Sequence, residues 1–186
     1  PLMSAVTRDC IVQGRDINDG GAMFPDFHGV AGMGIGTTTD ALEALRTLVY
    51  DQRRFSLLDL VAALDRDFDG DEVLRQCLLR DAPKYGNGDE RTSRLAADIG
   101  DVFCRAVLAK RTPAAGGKPP GRYVPLLGAN VNNIPAGAQV GATPDGRRAY
   151  GPLSDAASPH FGRDSHGPTT TFRSVSRVDY ADVVGG

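Results

Sequence analysis

Apolar positions recur at helical spacing through most of the first 110 residues. Leu2, Val6 and Cys10 fall at i, i+4 and i+8 with Ala5 beside them, which predicts one helix face closed by Gly14 as a C-terminal cap. Because that helix begins at once from Pro1, the chain reads as an excised or incomplete piece. Ala41, Leu42, Leu45, Leu48 and Val49 predict an amphipathic helix. Ser56 with Asp59 three residues on has the form of a capping box, opening a helix through Leu57, Leu60, Val61 and Leu64. Val73, Leu74, Cys77 and Leu78 mark a further helix, with Asp71 and Glu72 suited to its positive end. Asp89 is a natural N-cap for the longest helix, drawn by Leu95, Ile99, Val102, Phe103 and Ala106 and ending near Lys110. Thr112–Gly121 is rich in Pro and Gly and reads as a linker. Beyond it, Tyr123–Val131 is the best strand, and Pro125 confines it to an edge or a strand start. Ala149 to Gly186 predicts irregular chain with one short strand around Thr170–Ser176, where β-branched and aromatic residues gather.

Composition narrows the class. At 186 residues, 41% hydrophobic and 24% charged, the chain suits one soluble domain with a real core. A net charge of −2 gives no reason to invoke nucleic acid or an anionic membrane. No apolar run approaches the roughly 18–20 residues of a membrane span, and no stretch reads as a signal peptide. Cys10, Cys77 and Cys104 form neither C-x-x-C nor a zinc pattern, so they read as three reduced, buried thiols of a cytoplasmic protein.

Three stretches and the scattered histidines invite a chemical reading. His28-Gly29-Val30-Ala31-Gly32-Met33-Gly34-Ile35-Gly36, followed by Thr37-Thr38-Thr39-Asp40, has the form of a glycine-rich loop opening onto a Thr-capped helix. It lacks Gly-Lys-Ser/Thr and its G-x-G-x-x-G spacing breaks at Thr37, so close backbone packing is the favoured reading over phosphate binding. Asp65-Arg66-Asp67-Phe68-Asp69-Gly70 matches the first half of a calcium loop, but the twelfth position is Gln76 where a bidentate Glu is needed and the eighth is Glu72. An acidic helix connection without metal is therefore expected. His28, His160 and His166 lie far apart with no i, i+4 pair, and His28 is expected to satisfy a loop backbone group. Thr143-Pro144-Asp145-Gly146 reads as a tight turn: Pro144 presets φ, Asp145 can bond its own backbone, and Gly146 accepts positive φ. Pro144, Asp145, Gly146 and Arg147 are thus assigned a structural role, since they fix a backbone but offer no nucleophile or tuned base.

The run Gly141-Ala142-Thr143-Pro144-Asp145-Gly146-Arg147-Arg148-Ala149 is followed by Pro152-Leu153-Ser154-Asp155, Ser158-Pro159, Gly162-Arg163-Asp164, Gly167-Pro168-Thr169 and Ser174-Val175. This ordered series resembles the glycyl-radical enzymes, the family of pyruvate formate-lyase and the glycerol and choline lyases, with Arg177 where the family has lysine and Asp179 in place. Pro83-Lys84-Tyr85-Gly86-Asn87 and the segment around His28–Gly36 are similar to the same family. The resemblance implies an α/β fold, a piece of a ten-stranded barrel made of two parallel half-barrels ringed by helices. On that plan residues 1–111 are a helical layer, 112–121 a linker, and 122–186 a barrel strand with long loops, all within one domain. The turn at Asp145–Arg147 would tie two loops together at the barrel rim.

The resemblance also implies chemistry. Such a parent is a cytoplasmic, oxygen-sensitive lyase or formate acetyltransferase-like enzyme, a homodimer acting on a small organic molecule. It carries a glycyl radical installed by an activating enzyme that uses S-adenosylmethionine and an iron–sulfur cluster. A cysteine in G-C-x-E and a glycine in R-V-x-G-Y hold the radical in the family. Cys10, Cys77 and Cys104 lack the glutamate two residues on, and Gly185 and Gly186 lack the glycine context. In family order the chain falls between the two motifs, so no catalytic residue is assigned, no cofactor is expected on this segment, and it is expected to be inert alone. A substrate-facing tyrosine of glycerol-type relatives aligns with Gly128, not Tyr123, and is not carried over; Gly128, Asn130 and Asn132 remain as candidate pocket wall. Dehydratase, decarboxylase, C–N lyase and formate-lyase chemistry are all open on this reading. The alternative is a non-catalytic binding or scaffold module derived from the family.

Overall fold

A computed structural model describes residues 2–22, 27–113, 121–129 and 131–185. The elements run α1 (Leu2–Val6), α2 (Cys10–Gln13), β1 (Phe27–Ala31), α3 (Ile35–Ala44), α4 (Leu57–Asp65), α5 (Glu72–Arg80), α6 (Glu90–Leu108), β2 (Arg122–Leu126), α7 (Asn133–Gly137) and α8 (Pro168–Val175). β1 and β2 pair in parallel, Val30 opposite Pro125, with the helices α3 to α6 carried on the long crossover between them. The α/β class is as expected. The sheet differs from expectation in its partner: His28–Ala31, read as loop, is half of it. Glycines at 29 and 32 break the apolar alternation that would mark a strand, and β1 exists because β2 supplies its ladder. His28 accordingly faces Tyr123 across the strands, ring centroids 5.7 Å apart, in place of the loop contact expected of it.

β2 is shorter than Tyr123–Val131, and it has neighbours on both sides. Gly32 N–H donates to Leu126 O on the β1 side, while Val184 N–H donates to Pro125 O and Leu127 N–H to Gly185 O on the other. Pro125 is tolerated because its polar groups point away from β1, so its missing N–H takes no bond from that pair.

Helices α4, α5 and α6 form as their patterns predict. Ser56 and Asp59 make the reciprocal capping box, and Asp89 Oδ1 accepts from Thr92 N–H at 2.8 Å. Their apolar faces make two cores. Ala44, Leu48, Leu60, Phe68 and Leu78 fill the space between α3, α4 and α5. Ile35, Tyr85, Ala96, Cys104 and Leu127 fill that between α3, α6 and the end of β2. At the ends of the Pro/Gly-rich stretch Thr112 N–H donates to Gly121 O at 3.2 Å; residues 114–120, most of the expected linker, lie outside the described chain.

Three local expectations are corrected. The N-terminal helix is broken between α1 and α2, with Asp9 at φ 73°, so only Cys10 of the expected face is buried. α3 starts at Ile35 behind Gly34, not behind a Thr cap, and runs on in π-helical form over Leu45–Asp51. Thr170–Ser176 is not a strand: Pro168 occupies the first turn of α8 after Gly167 at φ 84°, a strong helix start that overrides the β propensity of three threonines.

Candidate functional site

The turn at Thr143–Arg147 folds as its residues dictate. Gly146 N–H donates to Thr143 O at 2.9 Å, Gly146 sits at φ 89°, and Arg147 N–H reaches Asp145 Oδ1 at 3.3 Å. Thr143 Oγ donates to the same carboxylate oxygen at 2.5 Å. Unlike an ordinary surface turn, this one is interior: Asp145 and Arg147 are both buried. The Arg147 guanidinium donates to Gly151 O at 2.7 Å and to the carbonyls of Gly141 and Arg148, so it serves as a buried cross-tie for backbone acceptors. Arg75 Nε donates to Gly146 O at 3.0 Å, fastening the turn to α5. Arg148 leaves outward to Asp67 O and Glu72, and Asp67 Oδ1 accepts Ala149 N–H at 2.6 Å.

Those last bonds also describe the acidic loop between α4 and α5. Asp67 and Phe68 take left-handed backbone, φ 52° and 62°, which drives the Phe68 ring into the first core. The Asp67 carboxylate is occupied by Ala149, and Asp71 pairs with Arg66 at 2.7 Å. The loop is a helix connection held by protein partners.

Next to the turn lies a group of polar side chains that sequence reading did not single out. α3 presents Asp40 to the interior, fully buried. Its Oδ1 accepts Tyr85 N–H at 2.8 Å. Arg163 stands between Asp40 and Asp145, with Nη1 3.9 Å from Asp40 Oδ2 and Nη2 3.4 Å from Asp145 Oδ2; Nη1 also donates to Asp145 O at 2.9 Å. Lys84, buried, donates to Leu78 O at 2.6 Å. Burial lifts the Asp40 carboxyl to about 6 against the pull of Lys84, and burial pulls the Lys84 ammonium down against the pull of Asp40.

The start of α3 is closed by a reciprocal pair. Thr37 N–H donates to Ser154 Oγ at 3.0 Å, and Ser154 N–H donates to Thr37 Oγ at 2.9 Å. Gly34 N–H donates to Ser154 O at 2.9 Å. The helix terminus is thus capped by its own chain, and the glycines serve close packing, as expected: a Cβ on Gly36 would lie 2.6 Å from Ser158 O. His160 Nδ1 sits 3.1 Å from Thr37 Oγ. Burial, reinforced by Arg163, holds His160 below its usual value, which favours the neutral ring beside the Thr37 hydroxyl. Its outer side helps line an open cleft of about 530 Å³ with Leu153, Asp155, Ser158, Thr171 and Phe172. Asn87 laces the two loops below, donating to Arg163 O at 2.8 Å and accepting from Ser165 N–H at 2.8 Å.

Of the candidate pocket residues, Gly128 is half-buried just past β2, its Cα environment bounded by Leu126 and Gly185. Asn132 is exposed at the start of α7, its carbonyl accepting Ala136 N–H. Asn130 lies outside the described residues. The structure therefore brings Pro144, Asp145, Gly146 and Arg147 together as one turn, Pro144 half-buried and the other three buried, and places Gly128 just past β2 and Asn132 at the start of α7. Cys10 and Cys104 are buried and Cys77 is half-buried, all as free thiols.

The comparisons with known proteins match this architecture. Residues 1–126 match the family model described as pyruvate formate lyase-like. The chain is 38% identical over 188 residues to a probable dehydratase, YbiW, of Escherichia coli, covering 100% of this chain and 23% of that one. It superposes on hydroxyproline dehydratase from Clostridioides difficile, solved with trans-4-hydroxy-L-proline bound, with a TM-score of 0.83 at 33% identity, covering 98% of this chain and 22% of that one. The glycerol-bound B12-independent glycerol dehydratase of Clostridium butyricum gives a TM-score of 0.81 at 33% identity, covering 100% and 23%. The chain thus spans about a quarter of the length of these relatives, and it belongs to the pyruvate formate lyase-like family of glycyl-radical enzymes.

Proposed function

We propose that this chain is the stretch of a glycyl-radical lyase lying between the cysteine motif and the glycine loop, and that it builds barrel wall and rim. The observation that carries the reading is similarity running the whole length of the chain to dehydratases more than four times longer. Loss of water from a small hydroxylated molecule, a C–O cleavage, is the reaction class those relatives favour over C–C or C–N cleavage. The glycyl radical of such an enzyme supplies hydrogen-atom abstraction, and the residues here do not make its site. Gly185 is tied by its carbonyl to Leu127 N–H, and a Cβ there would lie 2.6 Å from Leu126 Cδ1; Cys104 lies in the second apolar core and Cys10 is buried. What this segment contributes is positioning: the buried turn and Arg147 hold the late loops, and Gly128, Asn130 and Asn132 are assigned to the pocket wall. The complete enzyme is proposed to be a cytoplasmic, oxygen-sensitive homodimer activated by an S-adenosylmethionine/iron–sulfur enzyme.

Alone, the segment is expected to be inert and prone to associate, because Leu58, Val73, Val102, Phe161 and Phe172 are exposed. The test is anaerobic incubation with a cognate activating enzyme and S-adenosylmethionine, read by electron paramagnetic resonance. The 186-residue chain should give no glycyl doublet and no dehydration of glycerol or trans-4-hydroxy-L-proline. A doublet on this chain, or turnover by it, would overturn the assignment.

A further inference from the structure

Four charged side chains from four separate stretches converge in the interior: Asp40 of α3, Lys84 of the loop after α5, Asp145 of the turn, and Arg163 of the strap 158–164. The two carboxylates are fully buried and only half satisfied. Asp40 Oδ1 accepts Tyr85 N–H, and Asp145 Oδ1 accepts Thr143 Oγ–H, but neither Oδ2 accepts a hydrogen bond among the described residues. Arg163 approaches Asp40 Oδ2 only to 3.9 Å, too far for a hydrogen bond. A fully buried carboxylate oxygen that accepts no hydrogen bond is poorly compensated when charged, so burial favours the neutral acid.

We propose that this cluster is a proton-sensitive clasp: with Asp40 neutral the turn and the strap stay closed over α3, and loss of its proton leaves a buried, half-bonded charge that is relieved when they open. The groups facing Asp40 are Lys84, Arg163, Asp145 and the Tyr85 amide, with His160 and Arg147 behind them. Burial is the largest influence on Asp40 and raises it to about 6, Asp145 pushing the same way, while Lys84, Tyr85 N–H and Arg163 pull it down. The closed form therefore binds the proton more tightly than an opened form near the ordinary value of 3.8. Opening grows more favourable as pH rises through the interval between those two values and levels off above it. His160 acts with the opposite sign: burial holds it below 6.5, so its charging favours opening as pH falls. A variant of Asp40 separates the two. This inference does not rest on the radical-lyase reading, since every group in it belongs to the interior of this segment.

The experiment is hydrogen exchange of the Tyr85 amide and of segments 143–166 in the full-length protein, corrected for the intrinsic pH dependence of exchange. Between pH 5 and pH 7 the local opening constant should rise by about tenfold more in the wild type than in Asp40→Asn, whose amide keeps an oxygen for Tyr85 N–H. Equal pH dependence in the two proteins overturns the proposal. Lys84→Met provides an independent arm that holds even if Asp40→Asn does not fold. Removing the cation should move the midpoint of the wild-type transition to higher pH, and a midpoint that stays in place or falls also overturns it.

Discussion

Gly146→Val probes the turn through two separable costs. The first is backbone: at φ 89° a β-branched residue is held where it is rarely found, which costs about 1–3 kcal/mol. The second is space. A Cβ at this position would lie 2.8 Å from Leu79 Cγ, 3.0 Å from Leu79 Cδ2 and 3.3 Å from Arg75 O. Leu79 can yield only by shifting α5 or leaving its rotamer, an overpacking of about 1–3 kcal/mol. Arg75 is also the residue whose Nε holds Gly146 O, so the side chain that must give way is next to the bond that fastens the turn. Together the loss should be about 2–6 kcal/mol, read by pulse proteolysis in urea on the full-length protein, where the midpoint falls. In a Leu79→Ala background the clash with Leu79 disappears, and the valine should cost only about 1–3 kcal/mol. A Gly146→Val protein within about 0.5 kcal/mol of wild type would refute both the turn geometry and the structural role given to Pro144–Arg147.

Asp89→Ala removes the oxygen that accepts Thr92 N–H and should lower stability by about 1 kcal/mol, checked by the same urea series with the exposed, uncapped Asp98→Ala as the control. Calcium should show no micromolar binding to Asp65–Gln76 by calorimetric titration, because the Asp67 carboxylate already accepts Ala149 N–H and Asp71 is paired with Arg66. Micromolar heat that vanishes in Asp65→Ala would reverse that expectation.

What the sequence revealed and what it hid divide along the range of the interactions involved. α4, α5 and α6 were legible because their apolar spacing and their caps lie within a few residues of one another. The turn was legible for the same reason: Pro144, Asp145 and Gly146 fix it from within. β1 was not, since its glycines carry no alternation and its partner strand is more than ninety residues away. α3 illustrates the limit best. Its inward side carries Thr39, Asp40 and Glu43 beside Ala44 and Leu48, so a search for apolar recurrence found the helix only from Ala41 onward. Thr39 is satisfied within the helix, donating to Ile35 O at 2.8 Å, but the other inward polar groups are tolerated because their partners arrive from elsewhere in the chain. Asp40 meets Tyr85 at a separation of 45 residues, Thr37 meets His160 at 123, and Glu43 pairs with Arg91 at 2.6 Å. No local pattern encodes such a meeting. A signal was present in the motifs themselves: the Lys84–Asn87 loop and the Gly162-Arg163-Asp164 run, which carried the family resemblance, are the segments that close this polar cluster. A run of charged residues embedded among glycine and proline, far from any apolar periodicity, is worth reading as the far half of a buried pair, and the near half should then be sought on the polar positions of an otherwise buried helix.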